Sequence, residues 1–152
     1  MSTEKKEPGS VLDSARPNAR YNKVLLIDSN ETDLYVSTFA LKSNFFANVI
    51  ATETKLDRAI DYLKNVSLLS DVPDIIILDM YMDSPESFRF LNEFDQLSDF
   101  VKNKCKIIIY TITPKKEFKQ RTMLYPFVVR YCTKPLDAYD LRDFEPKKAV
   151  SN

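Results

Sequence analysis

The stretch Pro73-Asp-Ile-Ile-Ile-Leu-Asp79 is a short apolar run that ends in a carboxylate. Successive β-branched residues favour a strand, and an apolar run without alternation is typical of a strand buried on both faces. Residues 24–27 and 107–110 form two similar runs, and Asp28 follows the first of them directly. These three runs predict the centre of a parallel sheet.

Two weaker apolar runs, 46–50 and 127–131, predict two further strands on either side of this centre. Helical signals alternate with the strands, over residues 31–43, 56–63, 85–97, 115–123 and 136–144. Crossovers of this length imply parallel strands with right-handed connections. We expect an α/β fold, a flavodoxin-like three-layer sandwich with five helices. For its five-stranded parallel sheet we choose the order 2-1-3-4-5, a common solution that local pattern alone does not settle.

The 152 residues divide into one domain and two short tails. Residues 1–22 are polar and mixed in charge, which predicts a flexible N-terminal tail. Residues 23–145 form the expected domain, and residues 146–152 form a short polar C-terminal tail. A domain of this size needs neither a disulfide nor a metal to fold.

Composition excludes several classes of function. Lys plus Arg and Asp plus Glu are 22 each, so the chain lacks the basic field of a general nucleic-acid binder. No His is present, which excludes imidazole catalysis and a phosphohistidine on this chain. With Gly9 as its only glycine, it cannot form a glycine-rich phosphate loop. No apolar run is long enough for membrane insertion, and no secretory signal is visible, so we expect a cytoplasmic protein.

Polar side chains follow four of the predicted strands. Asp28 and Asp79 follow the first and third strands, Thr111 ends the fourth, and Lys134 follows the fifth. Taken singly, each of these residues is explained equally well by an ordinary structural role, as a turn residue, a strand residue or a solvated charge. Ligands of open parallel sheets bind outside the carboxyl ends of the strands, so four such groups at one edge predict a site. Carboxylates beside a Lys suit Mg²⁺ and phosphoryl transfer.

With these segments the sequence resembles the receiver domain of two-component response regulators. The resemblance covers about residues 23–144. The segments that carry it are Lys23-Val-Leu-Leu-Ile-Asp28-Ser-Asn, Pro73-Asp-Ile-Ile-Ile-Leu-Asp79-Met, Ile107-Ile-Ile-Tyr-Thr111 and Tyr131-Cys-Thr-Lys134-Pro135. It implies a stand-alone, single-domain response regulator of a phosphorelay, and not an enzyme beyond self-catalysed acceptance and loss of a phosphoryl group.

The resemblance assigns Asp79 as the acceptor of a phosphoryl group from a sensor histidine kinase or phosphotransfer protein. It implies Mg²⁺ held by Asp28, Asp79 and the backbone carbonyl of Tyr81. Ser29 stands where the family has a second acid, so we expect weak Mg²⁺ binding. Glu31 and Asp33 are candidates to replace the negative charge that Ser29 lacks, but the sequence does not show whether either side chain points toward the site.

The resemblance also implies that Lys134 contacts the phosphoryl group and is joined to Pro135 by a cis peptide bond. Thr111 and Tyr131 match the switch pair that moves inward together on phosphorylation. This movement would remodel a surface that binds an unknown downstream protein. We expect a monomer or a weak homodimer.

Two alternatives remain open. Ser29 is compatible with a degenerate receiver that acts as a phosphorylation-independent protein-binding module. A flavodoxin-like or phosphatase-like enzyme on the same fold is the other alternative. Residues 28–31 are acidic and lack Gly, which disfavours a flavin phosphate site, and Asp79 has no second catalytic acid directly after it.

Overall fold

The computed structural model describes residues 19–80, 84–112, 115–137 and 140–141. Within them the strands are β1 (Tyr21–Ile27), β2 (Ala47–Glu53), β3 (Ile75–Asp79), β4 (Lys106–Thr111) and β5 (Val128–Thr133). They form one sheet in the order β2-β1-β3-β4-β5, and every neighbouring pair is parallel. The predicted sandwich and its strand order are confirmed.

The described helices are α1 (Glu31–Ser43), α2 (Leu56–Asn65), α3 (Pro85–Asp95), the four-residue α4 (Asp99–Lys102) and α5 (Lys116–Thr122). Helix α1 begins after Asn30, whose side chain accepts the N–H of Asp33 at 2.9 Å and so satisfies a free donor of the first turn. The sequence did not predict α4 as a separate helix. The predicted last helix, 136–144, lies largely outside the described residues.

The N-terminal boundary of the sheet differs from the prediction. Strand β1 begins at Tyr21, so residues 21 and 22, which the sequence assigned to the tail, belong to the domain. The N–H of Tyr21 donates to the carbonyl of Phe46 at 3.0 Å, and the two rings pack with centroids 5.2 Å apart. Pairing with β2 extends the strand beyond its apolar run. Residues 1–18 and 146–152 of the predicted tails lie outside the described residues.

Two apolar cores lie on opposite faces of the sheet, because successive strand residues point to opposite sides. Leu25 and Leu78 belong to the core that packs against α2, α3 and α5. Leu26 and Ile77 belong to the other core, which includes side chains of α1 and Leu136. Helices pack on both faces, and the carboxyl ends of the strands lie together at one edge of the sheet. No helix in the described part of the chain is long and apolar enough to cross a membrane.

Candidate functional site

The structure brings three of the predicted site residues into direct contact at the carboxyl edge of the sheet. The ammonium of Lys134 lies 2.9 Å from Oδ2 of Asp28 and 3.0 Å from Oδ1 of Asp79. The backbone N–H of Lys134 donates to the carbonyl of Thr111 at 2.8 Å, and the bond between Lys134 and Pro135 is cis. The ends of β1, β3 and β4 therefore meet at Lys134, which follows β5.

A third carboxylate joins this cluster from helix α1. Oδ2 of Asp33 lies 3.0 Å from the ammonium of Lys134, whereas Glu31 is exposed. The sequence placed neither acid toward the site, and the structure places Asp33 there. Among the described residues, three carboxylates thus surround one ammonium, which leaves two negative charges unbalanced.

Asp28 is fixed by hydrogen bonds to both of its oxygens. Its Oδ1 accepts the backbone N–H of Asn30 at 2.9 Å, and its Oδ2 accepts the hydroxyl of Tyr110 at 2.5 Å as well as Lys134. Asp28 and Tyr110 are both buried, at 1% and 0% exposure. The ring of Tyr110 also lies beneath Lys134, with the ammonium 4.9 Å from its centroid.

Sequence reasoning did not predict a site role for Tyr110. The one indication in the sequence was the hydroxyl of Tyr110 itself, the single polar group at the end of the apolar run 107–110. A buried tyrosine hydroxyl needs a hydrogen-bond partner, and an aspartate at the same sheet edge was a candidate.

Burial and charge set the protonation states of the cluster. Burial, with a further contribution from Asp28, raises the pKa of Asp79 from 3.8 to about 6, and the hydrogen bond from Lys134 opposes this rise. Burial also acts to lower the pKa of Lys134, but its hydrogen bonds to the carboxylates outweigh burial and raise it. Burial and then Asp28 raise the pKa of Tyr110. At neutral pH Asp79 is mostly ionised, and Tyr110 is a hydrogen-bond donor.

The predicted switch residues lie on the two strands next to the cluster. Thr111 is buried at the end of β4. The Tyr131 ring packs edge-on against Phe118 of α5 with centroids 6.2 Å apart. Its hydroxyl is buried and has no hydrogen-bond partner among the described residues, and burial raises its pKa to about 12. Tyr131 therefore couples β5 to α5 through apolar contact.

An open cavity of about 320 Å³ lies beside the ammonium of Lys134, between α1 and the loops that follow β4 and β5. Its lining combines charged and apolar side chains. The lining residues are Asp33, Val36, Ser37, Ile112, Lys134 and Pro135.

The donor set suits the chemistry of a divalent cation only in part. Carboxylate oxygens and the unbalanced negative charge favour Mg²⁺, which keeps several waters in its shell. Ser29, which stands in place of the second acid expected from the resemblance, is exposed, and Tyr81 lies outside the described residues. No cluster of three His, Cys, Asp or Glu side chains in the described ranges is arranged to hold a metal ion. Asp79, and Asp28 through water, are the described side chains that would hold such an ion.

Solved structures provide the comparison for this site and fold. A two-component response regulator from Cytophaga hutchinsonii matches with a TM-score of 0.69 at 21% identity, covering 83% of this chain and 94% of that one. A receiver protein from Dyadobacter fermentans matches with a TM-score of 0.69 at 22% identity, covering 80% and 92%. A CheY-like receiver domain from Methanospirillum hungatei matches with a TM-score of 0.62 at 14% identity, covering 81% of this chain and 89% of that one. This chain has the receiver-domain fold.

No protein-family model and no curated protein matches the chain. The receiver fold accounts for the position of the site, because strand order alone brings the ends of β1, β3 and β4 together. The fold does not account for the contact of Tyr110 with Asp28 or of Asp33 with Lys134, because these contacts depend on the side chains of this particular chain.

Proposed function

We propose that this chain is a signalling receiver that accepts a phosphoryl group on Asp79 from the phosphohistidine of a partner kinase or phosphotransfer protein. The contact of Lys134 with Asp79 at 3.0 Å supports the proposal most strongly, because it places a cation beside an ionised carboxylate at the open edge of the receiver fold. Thr111, whose carbonyl holds the backbone of Lys134, lies at the same edge.

The chemistry follows from the charges of the cluster. A carboxylate oxygen of Asp79 attacks phosphorus, the phosphorus–nitrogen bond of the donor breaks, and the imidazole nitrogen keeps the electron pair and takes a proton from water. Lys134 neutralises charge on the transferred oxygens, while Asp28 and Asp33 hold its ammonium in place. Water later attacks the acyl phosphate, which releases inorganic phosphate and returns Asp79 to its carboxylate form.

A Mg²⁺ ion, when bound, would neutralise further negative charge on the phosphoryl oxygens. Asp79, and Asp28 through water, would hold it, and the carbonyl of Tyr81 remains a predicted ligand. Ser29 reduces the charge available at this position, so we expect weak binding.

We further propose that the acyl phosphate changes the positions of Thr111 and Tyr131, and that a downstream protein reads the change. The contact between Tyr131 and Phe118 supports this proposal, since movement of the ring would alter the packing of α5. The cytoplasmic location, and a monomeric or weakly dimeric state, remain predictions.

A second candidate function is a phosphorylation-independent binding module. One observation favours it: both oxygens of Asp28 are already engaged by Asn30, Tyr110 and Lys134, and Ser29 supplies no carboxylate beside them. This candidate predicts that partner binding does not depend on Asp79.

Intact-mass spectrometry separates the two functions. The chain is incubated with acetyl phosphate, or with a phosphorylated phosphotransfer domain, with and without Mg²⁺. We expect an adduct of one phosphoryl group that is absent in Asp79→Asn and retained in Asp57→Asn, a control at an acid on α2 whose side chain is 82% exposed. An adduct that persists in Asp79→Asn contradicts the assignment. If no competent donor gives an adduct, the binding module is the better reading.

A further inference from the structure

Tyr110 connects two strand ends that are not adjacent in the sheet. It lies on β4, opposite Asp79 of β3 in the register of the sheet. Its hydroxyl nevertheless donates to Asp28, which follows β1 on the far side of β3. The side chain therefore spans the central strand beneath the site.

This contact leaves Asp28 with little unshared negative charge. Oδ1 accepts the N–H of Asn30, and Oδ2 accepts two donors, Tyr110 and Lys134. A carboxylate has about four acceptor positions, and each donor both fills one position and offsets part of the charge. Hydrogen bonds to an ionised group are also stronger than those between neutral groups. A cation or its water ligands must compete with these three donors.

We propose that Tyr110 is a positioning residue whose hydroxyl holds Asp28 against Lys134 and so limits the Mg²⁺ affinity of the site. Ser29 removes one acid from the site, and Tyr110 withholds part of the charge of the acid that remains. The metal-binding part of this inference depends only on the geometry of Asp28. Its consequence, a phosphoryl-acceptor site with little demand for metal, rests on the function proposed above.

The substitution Tyr110→Phe tests the inference, because it removes the hydroxyl and keeps the ring beneath Lys134. Calorimetric titration with MgCl₂ should give an affinity about ten- to 100-fold higher than that of the original chain, the range expected when one donor to an ionised acceptor is lost. In ¹⁵N NMR spectra the amide of Asn30, which donates to Asp28, should respond more strongly to Mg²⁺.

Tyr62→Phe is the matched control. It also removes a hydrogen-bonded tyrosine hydroxyl. This hydroxyl accepts a hydrogen bond from Lys23 and donates one to the carbonyl of Asp71, away from the cluster. We expect its Mg²⁺ affinity to equal that of the original chain.

A double-mutant cycle identifies the group through which Tyr110 acts. In an Asp28→Asn background, Tyr110→Phe should no longer change Mg²⁺ affinity, because the acceptor of the hydroxyl has lost its charge. The inference is overturned if Tyr110→Phe brings no gain in affinity, or if the gain is equally large in the Asp28→Asn background. Should Tyr110→Phe not fold, Tyr110→Met replaces it, because it also removes the hydroxyl that donates to Asp28. An unchanged Mg²⁺ affinity in that variant would overturn the inference.

These titrations contain no phosphodonor, so their outcome is independent of the proposed function. Absence of a phosphoryl adduct on Asp79 would end the proposed function and leave the role of Tyr110 in metal binding intact. Unchanged Mg²⁺ affinity in Tyr110→Phe would end the inference even where Asp79 is phosphorylated.

Discussion

The ammonium of Lys134 lies 3.0 Å from Oδ1 of Asp79, although Asp79 ends β3 and Lys134 follows β5. Their side chains are 10% and 12% exposed, so water screens the pair weakly. The same ammonium contacts Asp28 and Asp33 and is therefore the shared countercharge of the cluster. A change to Lys134 or Asp28 therefore alters the ionisation of Asp79.

Removal of the ammonium is expected to destabilise the fold at neutral pH. Lys134→Met keeps a similar length and leaves the three carboxylates without a countercharge. We expect the free energy of unfolding at pH 7.5 to fall by about 3 kcal/mol. The loss should become smaller towards pH 4, because Asp79, with a pKa of about 6, binds a proton there. Urea unfolding at both pH values measures it, with the exposed Lys116→Met as control, and an equal loss at both would contradict the charge argument.

Neutralisation of Asp79 is expected to stabilise the fold. Its pKa is raised from 3.8 to about 6, so the folded state binds the proton more tightly than the unfolded state does. The stability contributed by the protonated acid is complete below pH 4 and is lost as the pH rises through 6. Asp79→Asn should therefore be more stable than the original chain above pH 6, by at most about 3 kcal/mol.

Thermal unfolding followed between pH 4 and pH 8 tests this stability prediction. The melting temperature of Asp79→Asn should exceed that of the original chain by an amount that increases between pH 4 and 6 and then remains constant. A difference that is constant over the whole range would show that ionisation of Asp79 is not its cause.

Phosphoryl acceptance is expected to depend on pH through the same group. The ionised carboxylate is the nucleophile, so the initial rate of adduct formation should rise with a midpoint near pH 6. Asp28 raises the pKa of Asp79, so Asp28→Asn should move this midpoint to lower pH. Both proteins are measured with the same phosphodonor, so that the pH dependence of the donor is the same in both profiles and does not affect the difference between their midpoints. A midpoint that moves to higher pH in Asp28→Asn would refute the electrostatic coupling.

The Tyr131 hydroxyl is expected to contribute nothing favourable to stability. It is buried without a hydrogen-bond partner among the described residues, and a buried unsatisfied group costs about 1–3 kcal/mol. Tyr131→Phe should therefore raise the free energy of unfolding, by about 1 kcal/mol. Tyr62→Phe provides the contrast, because its hydroxyl is hydrogen-bonded to Lys23, and that variant should not be stabilised. Denaturant unfolding of both variants makes the comparison, and a destabilised Tyr131→Phe would reveal a partner for the hydroxyl.

Much of the fold followed from local pattern. Uninterrupted β-branched runs predicted the buried strands β1, β3 and β4, since only strands covered on both faces are apolar at every position. The edge strand β2 was less accurately bounded. It runs to Glu53, whereas the prediction stopped at residue 50, because pairing with β1 and not apolar content sets its end.

Local pattern was sufficient to predict which groups stand at the strand ends, because Asp28, Asp79, Thr111 and Lys134 follow runs whose period and composition are local properties. Two contacts of the site depend instead on the packed domain: Tyr110 donates to Asp28, 82 residues away, and Asp33 rather than Glu31 reaches Lys134. Both contacts depend on which strands are neighbours and on how α1 is rotated against the sheet. Packing across the whole domain sets these relations, and no local stretch of sequence encodes them.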